Sequence, residues 1–147
     1  MGGHAGFALG LALARPERKV VLFDSEGDLL MSLGILATIA EQAPTNLYHF
    51  MVDNECYATT GGQPVPNATK TAYDAIARAA GYPHAVAFTE LADVERHLPR
   101  LLASPGPVFA AFKVVLEVEN APIGGRTRWQ IRTRDQVLAD LRTEVVA

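Results

Sequence analysis

Val20-Val21-Leu22-Phe23-Asp24-Ser25-Glu26-Gly27-Asp28 is the stretch on which the fold turns. Its first four residues form an unbroken apolar run. Such a run fits a strand covered on both faces, as in a parallel sheet. Ser25-Glu26-Gly27-Asp28 then makes a tight turn. Leu29 to Glu41 returns to helical spacing, with Leu30, Leu33, Leu36, Ala37 and Ala40 on one side, and Pro44 closes that element.

The same alternation extends in both directions. Upstream, Gly6 to Ala14 is rich in Ala and Leu, lacks β-branched residues and reads as a buried helix ending before Pro16. Downstream, Leu47 to Val52 reads as a second strand, and Asp53 to Asn67 as a polar loop made irregular by Gly61, Gly62, Pro64 and Pro66. Thr71 to Ala80 is a helix stopped by Gly81 and Pro83. His84 to Phe88 is a short strand, Leu91 to Ala103 a helix capped by Thr89, and Val108 to Leu116 a further apolar strand. Residues 117 to 132 read as loop or extension, and Arg134 to Val145 as a terminal amphipathic helix. The expected fold is α/β: a three-layer, mostly parallel sheet with helices on both faces. In such folds ligands bind beyond the carboxyl ends of the strands, which points to the loops Asp24–Asp28 and Asp53–Gly62.

The 147 residues are the size of one domain, and 49% are apolar, enough for a core. A net charge of -3 argues against a broad nucleic-acid footprint. No segment is long and apolar enough for a membrane helix. Met1 to Leu13 is apolar but has no positive leader, and Arg15, Glu17, Arg18 and Lys19 follow at once, so it reads as a helix rather than a signal peptide. The single cysteine, Cys56, permits no internal disulfide and fits a reducing, cytoplasmic home. A nucleotide-binding reading ranks last, because neither G-x-G-x-x-G nor the P-loop lysine pattern follows the first strand.

Magnesium held on a diphosphate needs few protein ligands, since phosphate and water oxygens fill most of its octahedron. One carboxylate, one side-chain amide and one backbone carbonyl complete it, and Glu26, Asn54 and the Cys56 carbonyl can supply that set from two strand ends. The amides of Gly27 and Asp28, opening a helix, could hold phosphate oxygens.

Residues 20–34, VVLFDSEGDLLMSLG, followed by Val52-Asp53-Asn54-Glu55-Cys56-Tyr57, resemble the thiamine diphosphate motif, which opens with Gly-Asp-Gly after an apolar strand and closes nearly thirty residues later in Asn-Asn. Leu36-Ala37-Thr38-Ile39-Ala40 and Tyr57-Ala58-Thr59-Thr60-Gly61-Gly62-Gln63-Pro64 are similar to the sulfopyruvate and phosphonopyruvate decarboxylase branch, and Met1-Gly2 with Gly10 resembles the helix before the motif strand. The resemblance implies the C-terminal, diphosphate-binding domain of a thiamine diphosphate enzyme over residues 1–147, with 117–147 a C-terminal extension. It places magnesium on Glu26, Asn54 and the Cys56 carbonyl. It places the cofactor on these and on Ser25, Gly27, Asp28, Tyr57 and Ala58, with Met1 as an apolar buttress and Gly2 beside it.

Three departures accompany it. Ser25-Glu26-Gly27 stands for Gly-Asp-Gly, adding a Cβ and a methylene; Asp53 stands for the first Asn, while Asn54 keeps the ligand place; and the family's first strand–helix unit, which precedes the position of Met1, is missing here. The family's activating glutamate lies in a separate pyrimidine-binding domain, so the expected partner is a chain carrying it, in a homo- or hetero-oligomer. The implied function is the diphosphate- and magnesium-binding subunit or fragment of a two-chain 2-oxoacid decarboxylase acting on a small anionic oxoacid. A carboligase subunit, or a non-catalytic structural or regulatory descendant, would share the same half-site.

Other residues carry plainer expectations. Cys56 lacks an activating base and sits next to Glu55, so its backbone outweighs its sulfur. His4 reads as a packed or terminal histidine, His49 as structural, and Met31 as core packing; His84 and His97 offer no metal spacing. Thr59-Thr60-Gly61-Gly62 reads either as a connection or as a substrate-facing lid. Trp129 with Arg126, Arg128, Arg132 and Arg134 is either a partner interface or a solvated segment.

Overall fold

A computed structural model describes residues 1–118 and 132–146. The apolar runs become four strands: β1 (Val20–Ser25), β2 (Leu47–Asp53), β5 (His84–Phe88) and β6 (Val108–Lys113). They pair in the order β1-β2-β6-β5, every neighbour parallel. Cys56–Tyr57 (β3) and Gln63–Pro64 (β4) form a separate antiparallel pair inside the segment expected to be an irregular loop.

Helices α1 (His4–Ala14), α3 (Ile35–Gln42) and α4 (Tyr73–Ala80) pack on one face, with Leu47, Met51, Phe109 and Ala111 of the sheet. Helix α5 (Leu91–Ala103) covers the other through Val94, Leu98, Leu101 and Leu102, against Tyr48, Phe50, Val108 and Ala110. This is the three-layer arrangement expected. The central strands β2 and β6 are buried on both faces, which is why they read as continuous apolar runs. Helix α6 (Arg134–Val146) ends near the start of β1, where Arg18 pairs with Glu144 at 3.1 Å. Residues 119–131, including Arg126, Arg128 and Trp129 of the basic aromatic segment, lie outside the described residues.

Several local expectations change. The helix expected over Leu29–Glu41 is two: α2 (Glu26–Met31) ends at Ser32, and α3 starts after Gly34. The intervening turn resets the helical phase, so Leu29, Leu36 and Ile39 are buried while Ala37 faces solvent. Helix α4 starts at Tyr73 rather than Thr71, and α5 is preceded by Glu90 with no side-chain cap, so Thr89 does not serve. Strand β6 stops at Lys113; Val114 N–H bonds Asp53 O at 3.0 Å, and Val115 is already solvent-exposed.

One polar residue ties the layers together. Asn46 Nδ2 donates toward the carbonyls of Ala12, Arg15 and Arg18 at 3.0, 2.9 and 2.7 Å, tying the end of α1 and the turn after it to the start of β2. Asn46→Ala removes this shared buried donor, and we expect it to cost about 1–3 kcal/mol in urea unfolding, with an unchanged m-value.

Candidate cofactor and metal site

The carboxyl ends of β1 and β2 lie side by side, with Ser25 in register with Val52. Ser25 is extended and caps α2, its Oγ accepting from Asp28 N at 3.3 Å. That bond uses the Asp28 amide, one of the two groups expected to hold phosphate. Glu26 follows as the first helical residue and is completely buried.

Glu26 and Asn54 converge. The amide of Cys56 donates to Glu26 Oε1 at 3.0 Å and to Asn54 Oδ1 at 3.2 Å, so two strand-end loops meet at one backbone nitrogen. Glu55, at φ 64°, makes the left-handed turn that brings this about. Glu26 Oε2 is buried and has no hydrogen-bond partner among the described residues. Burial pushes the Glu26 carboxyl above its ordinary range and Asp53 adds to this, while backbone N–H groups pull it back only in part. A buried carboxylate oxygen with nothing to bond is costly on its own. A divalent cation would relieve that cost, and the neighbouring oxygen of Asn54 matches the hard-ligand chemistry of magnesium. The donor set therefore fits the ion, and Glu26 and Asn54 would hold it together with the Cys56 carbonyl.

Above this point is a cavity of about 280 Å³, bordered by Ser25, Gly27, Asn54, Cys56, Tyr57 and Ala58. Eight of the ten residues expected at the cofactor border this cavity, these six with Met1 and Asp28, while Glu26 is buried between Ser25 and Gly27 and Gly2 stands outside it. The Tyr57 ring lies directly on Gly27, where an added Cβ would stand 2.7 Å from Cδ1. Met1 borders the cavity but is 81% exposed, so it is a rim residue rather than a buried buttress. Gly2 is held from outside: its N–H donates to Asp28 Oδ1 at 2.6 Å, and its carbonyl accepts from Ser32 Oγ at 2.5 Å. Asp28 therefore turns its side chain toward the start of the chain.

Sequence reasoning missed four features. Met31 is not core: it is 48% exposed and borders the cavity, because α2 ends there. His4 is neither packed nor free, since its Nδ1 lies 3.0 Å from Asp28 Oδ2 and 3.5 Å from Asp24 Oδ1. The signal was legible: a helix running antiparallel to the following strand brings its first turn to that strand's carboxyl end. Behind Asp24 lies His49, completely buried, with Nε2 at 3.3 Å from Asp24 Oδ2. Burial alone would raise the Asp24 carboxyl; His49 and the Ser25 amide outweigh it and hold it below its usual range. Tyr73, with its hydroxyl buried and unpartnered, is pushed up to about 12 by burial and then by Asp53 and Glu26, so it stays a neutral donor close to the site.

The Cys56 sulfur is buried, and burial followed by the Glu26 charge pushes its thiol up, in keeping with a backbone role. Thr59 borders the cavity, in a 3-10 turn spanning Ala58–Thr60. Among the described residues no helix is long and apolar enough to cross a membrane.

Comparisons with known proteins bear on this geometry. The chain is 42% identical over 110 residues to the sulfopyruvate decarboxylase subunit beta of Methanothermobacter thermautotrophicus, covering 75% of this chain and 56% of that one. It is 43% identical over 109 residues to the phosphonopyruvate decarboxylase of Streptomyces viridochromogenes, covering 73% of this chain and 26% of that one. The chain thus spans little more than half of the first relative and a quarter of the second. A thiamine diphosphate-dependent 4-hydroxybenzoylformate decarboxylase of Rhodococcus jostii RHA1 shares the fold, with a TM-score of 0.64 and 17% identity over 82% of this chain and 24% of that one. The family model for the thiamine pyrophosphate enzyme C-terminal TPP binding domain matches residues 1–112, ending within β6 where the sheet is complete. With that match over most of its length, and a buried acid and amide meeting at its paired strand ends, the chain belongs to the C-terminal TPP-binding domains of thiamine pyrophosphate enzymes.

Proposed function

We propose that this chain is the diphosphate- and magnesium-binding subunit of a two-chain thiamine diphosphate-dependent 2-oxoacid decarboxylase. The unpartnered Glu26 Oε2, buried between Ser25 and Gly27 of the cavity wall and on a carboxylate that shares the Cys56 amide with Asn54, carries the reading, because it asks for a cation next to the space a diphosphate would fill. Similarity to a protein named subunit beta supports a partner, which would be the pyrimidine-binding chain with the activating glutamate. The two relatives' names support a three-carbon oxoacid with a sulfonate or phosphonate group as substrate. Bound thiamine diphosphate supplies the nucleophilic carbon and the electron sink on which a 2-oxoacid loses carbon dioxide. This chain's share is to hold the metal on Glu26, Asn54 and Cys56, to seat the diphosphate beside Ser25 and Gly27, and to wall the cavity with Tyr57. Residues 1–147 would act as one unit with 117–147 as an extension, in the cytoplasm.

The test is reconstitution with the candidate pyrimidine-binding chain, thiamine diphosphate and Mg2+, following aldehyde formation from sulfopyruvate and phosphonopyruvate. Turnover that requires both chains and the metal is expected. Absence of binding heat with cofactor and Mg2+, with and without the partner, would leave the non-catalytic descendant as the reading.

A further inference from the structure

We propose that His4 is a catalytic residue of this pocket, delivering through Nε2 the proton that oxoacid decarboxylation consumes; the inference rests on the function proposed above. The reaction is R–CO–COO⁻ + H⁺ → R–CHO + CO2. The carbon–carbon bond to the carboxylate breaks, its electron pair ends in a new C–H bond, and one proton must arrive at that carbon.

His4 borders the same cavity as Ser25, Gly27 and Tyr57. Its Nδ1 faces two nearly buried carboxylates, Asp28 Oδ2 at 3.0 Å and Asp24 Oδ1 at 3.5 Å. A ring whose Nδ1–H is committed to a carboxylate has one free nitrogen, Nε2, able to give and regain a proton. A base oriented by a fixed third group is the general arrangement for proton transfer. Here the orienting group is itself fixed: Asp28 Oδ1 accepts from the Gly2 amide at 2.6 Å, and Asp24 is backed by buried His49. Asp28 is thus a positioning residue. The His4 side chain is 60% exposed, so solvent can return the proton after each turnover. The first turn of α1 carries no acidic residue, and the other titratable side chains bordering the cavity are Cys56 and Tyr57.

A merely structural His4 would tie Met1–Gly3 to α2 and nothing more. His4→Gln, which keeps a hydrogen-bonding group but cannot exchange a proton, separates the two roles. In the complex reconstituted with the partner chain and assayed with sulfopyruvate, kcat is expected to fall about 100-fold or more. The low-to-neutral limb of its pH profile should vanish, with calorimetric affinity for thiamine diphosphate and Mg2+ held within about threefold. Asp28→Asn, keeping the shape but not the charge, should lower kcat and displace the same limb. In the complex with the partner chain, ¹⁵N-imidazole NMR should show the His4 Nε2 signal shifting when thiamine diphosphate and Mg2+ are added. An unchanged kcat and pH profile in His4→Gln, a kcat loss matched by an equal loss of cofactor affinity, or a His4 signal blind to the cofactor would each overturn the proposal. Failure of the wild-type chain to bind cofactor both with and without the partner would instead remove the parent function, and this role with it.

Discussion

Glu26→Ala is expected to lower the affinity for thiamine diphosphate in the presence of Mg2+ by at least about 100-fold, read by calorimetry, while the chain stays folded. Losing even a supporting group around a bound metal typically costs about 10–100-fold, and Glu26 would touch the ion itself. Its Oε2 is a buried, unpaired oxygen beside the cavity, and the other nearby acids are engaged: Asp28 with Gly2 and His4, Asp53 with Lys113. An unchanged affinity would remove the metal assignment.

The same residue has an opposite effect on the metal-free chain. Its folded-state pKa is raised, chiefly by burial, above the ordinary 4.5. Below 4.5 both states hold the proton and the group contributes nothing. As pH rises past 4.5 the unfolded chain ionises first, so folding stability falls until pH passes the raised folded value. Glu26→Gln should therefore be more stable than wild type at pH 7 without metal. An unsatisfied buried group costs about 1–3 kcal/mol, and each 1 kcal/mol is worth roughly 4 °C in Tm for a chain of this size. The gain should shrink toward zero below pH 4 and reverse when Mg2+ and cofactor are supplied.

Gly27→Val carries the second large effect. A Cβ there stands 2.7 and 2.8 Å from Cδ1 and Cε1 of Tyr57, and valine adds two methyls to that clash. Gly27 is buried in the first turn of α2, so relieving the clash means moving α2 and the Tyr57 ring of β3 apart. We expect a cost of about 3 kcal/mol in chemical unfolding. Cofactor affinity should fall with it, because Tyr57 walls the cavity and neighbouring Cys56 carries the amide on which Glu26 and Asn54 converge. Tyr57→Ala in the same chain makes room for the branched side chain. It should recover most of the lost stability but not the affinity, a pattern that unfolding midpoints and calorimetry together would reveal. No recovery would mean that Gly27 is needed for its backbone rather than for the space above it.

Much of this architecture was legible residue by residue. Val20 to Phe23, Leu47 to Val52, His84 to Phe88 and Val108 onward read as strands because a parallel strand buried on both faces has no polar side to interrupt the run. The meeting of Glu26 and Asn54 at the Cys56 amide was legible because the family resemblance pairs the two strand ends, where carboxylate, amide and carbonyl are what a hard cation on a diphosphate would require. The break between α2 and α3 was not legible. Ser32-Leu33-Gly34 has no proline, and periodicity alone cannot separate one helix from two in different phase.

What the sequence by itself determined is the four strands of the sheet and the strand-end loops in which Glu26 and Asn54 lie, since these follow from side-chain polarity and local spacing. Tertiary structure alone decided the strand order β1-β2-β6-β5, the turning of Asp28 toward Gly2 and His4, the stacking of Tyr57 on Gly27 and the placing of His49 behind Asp24. Each of these joins residues 24 to 60 positions apart, or elements that do, and no local pattern encodes which distant partner a buried group will meet. Packing selects it, because a buried carboxylate must find a donor and a closely approached glycine must find a flat ring.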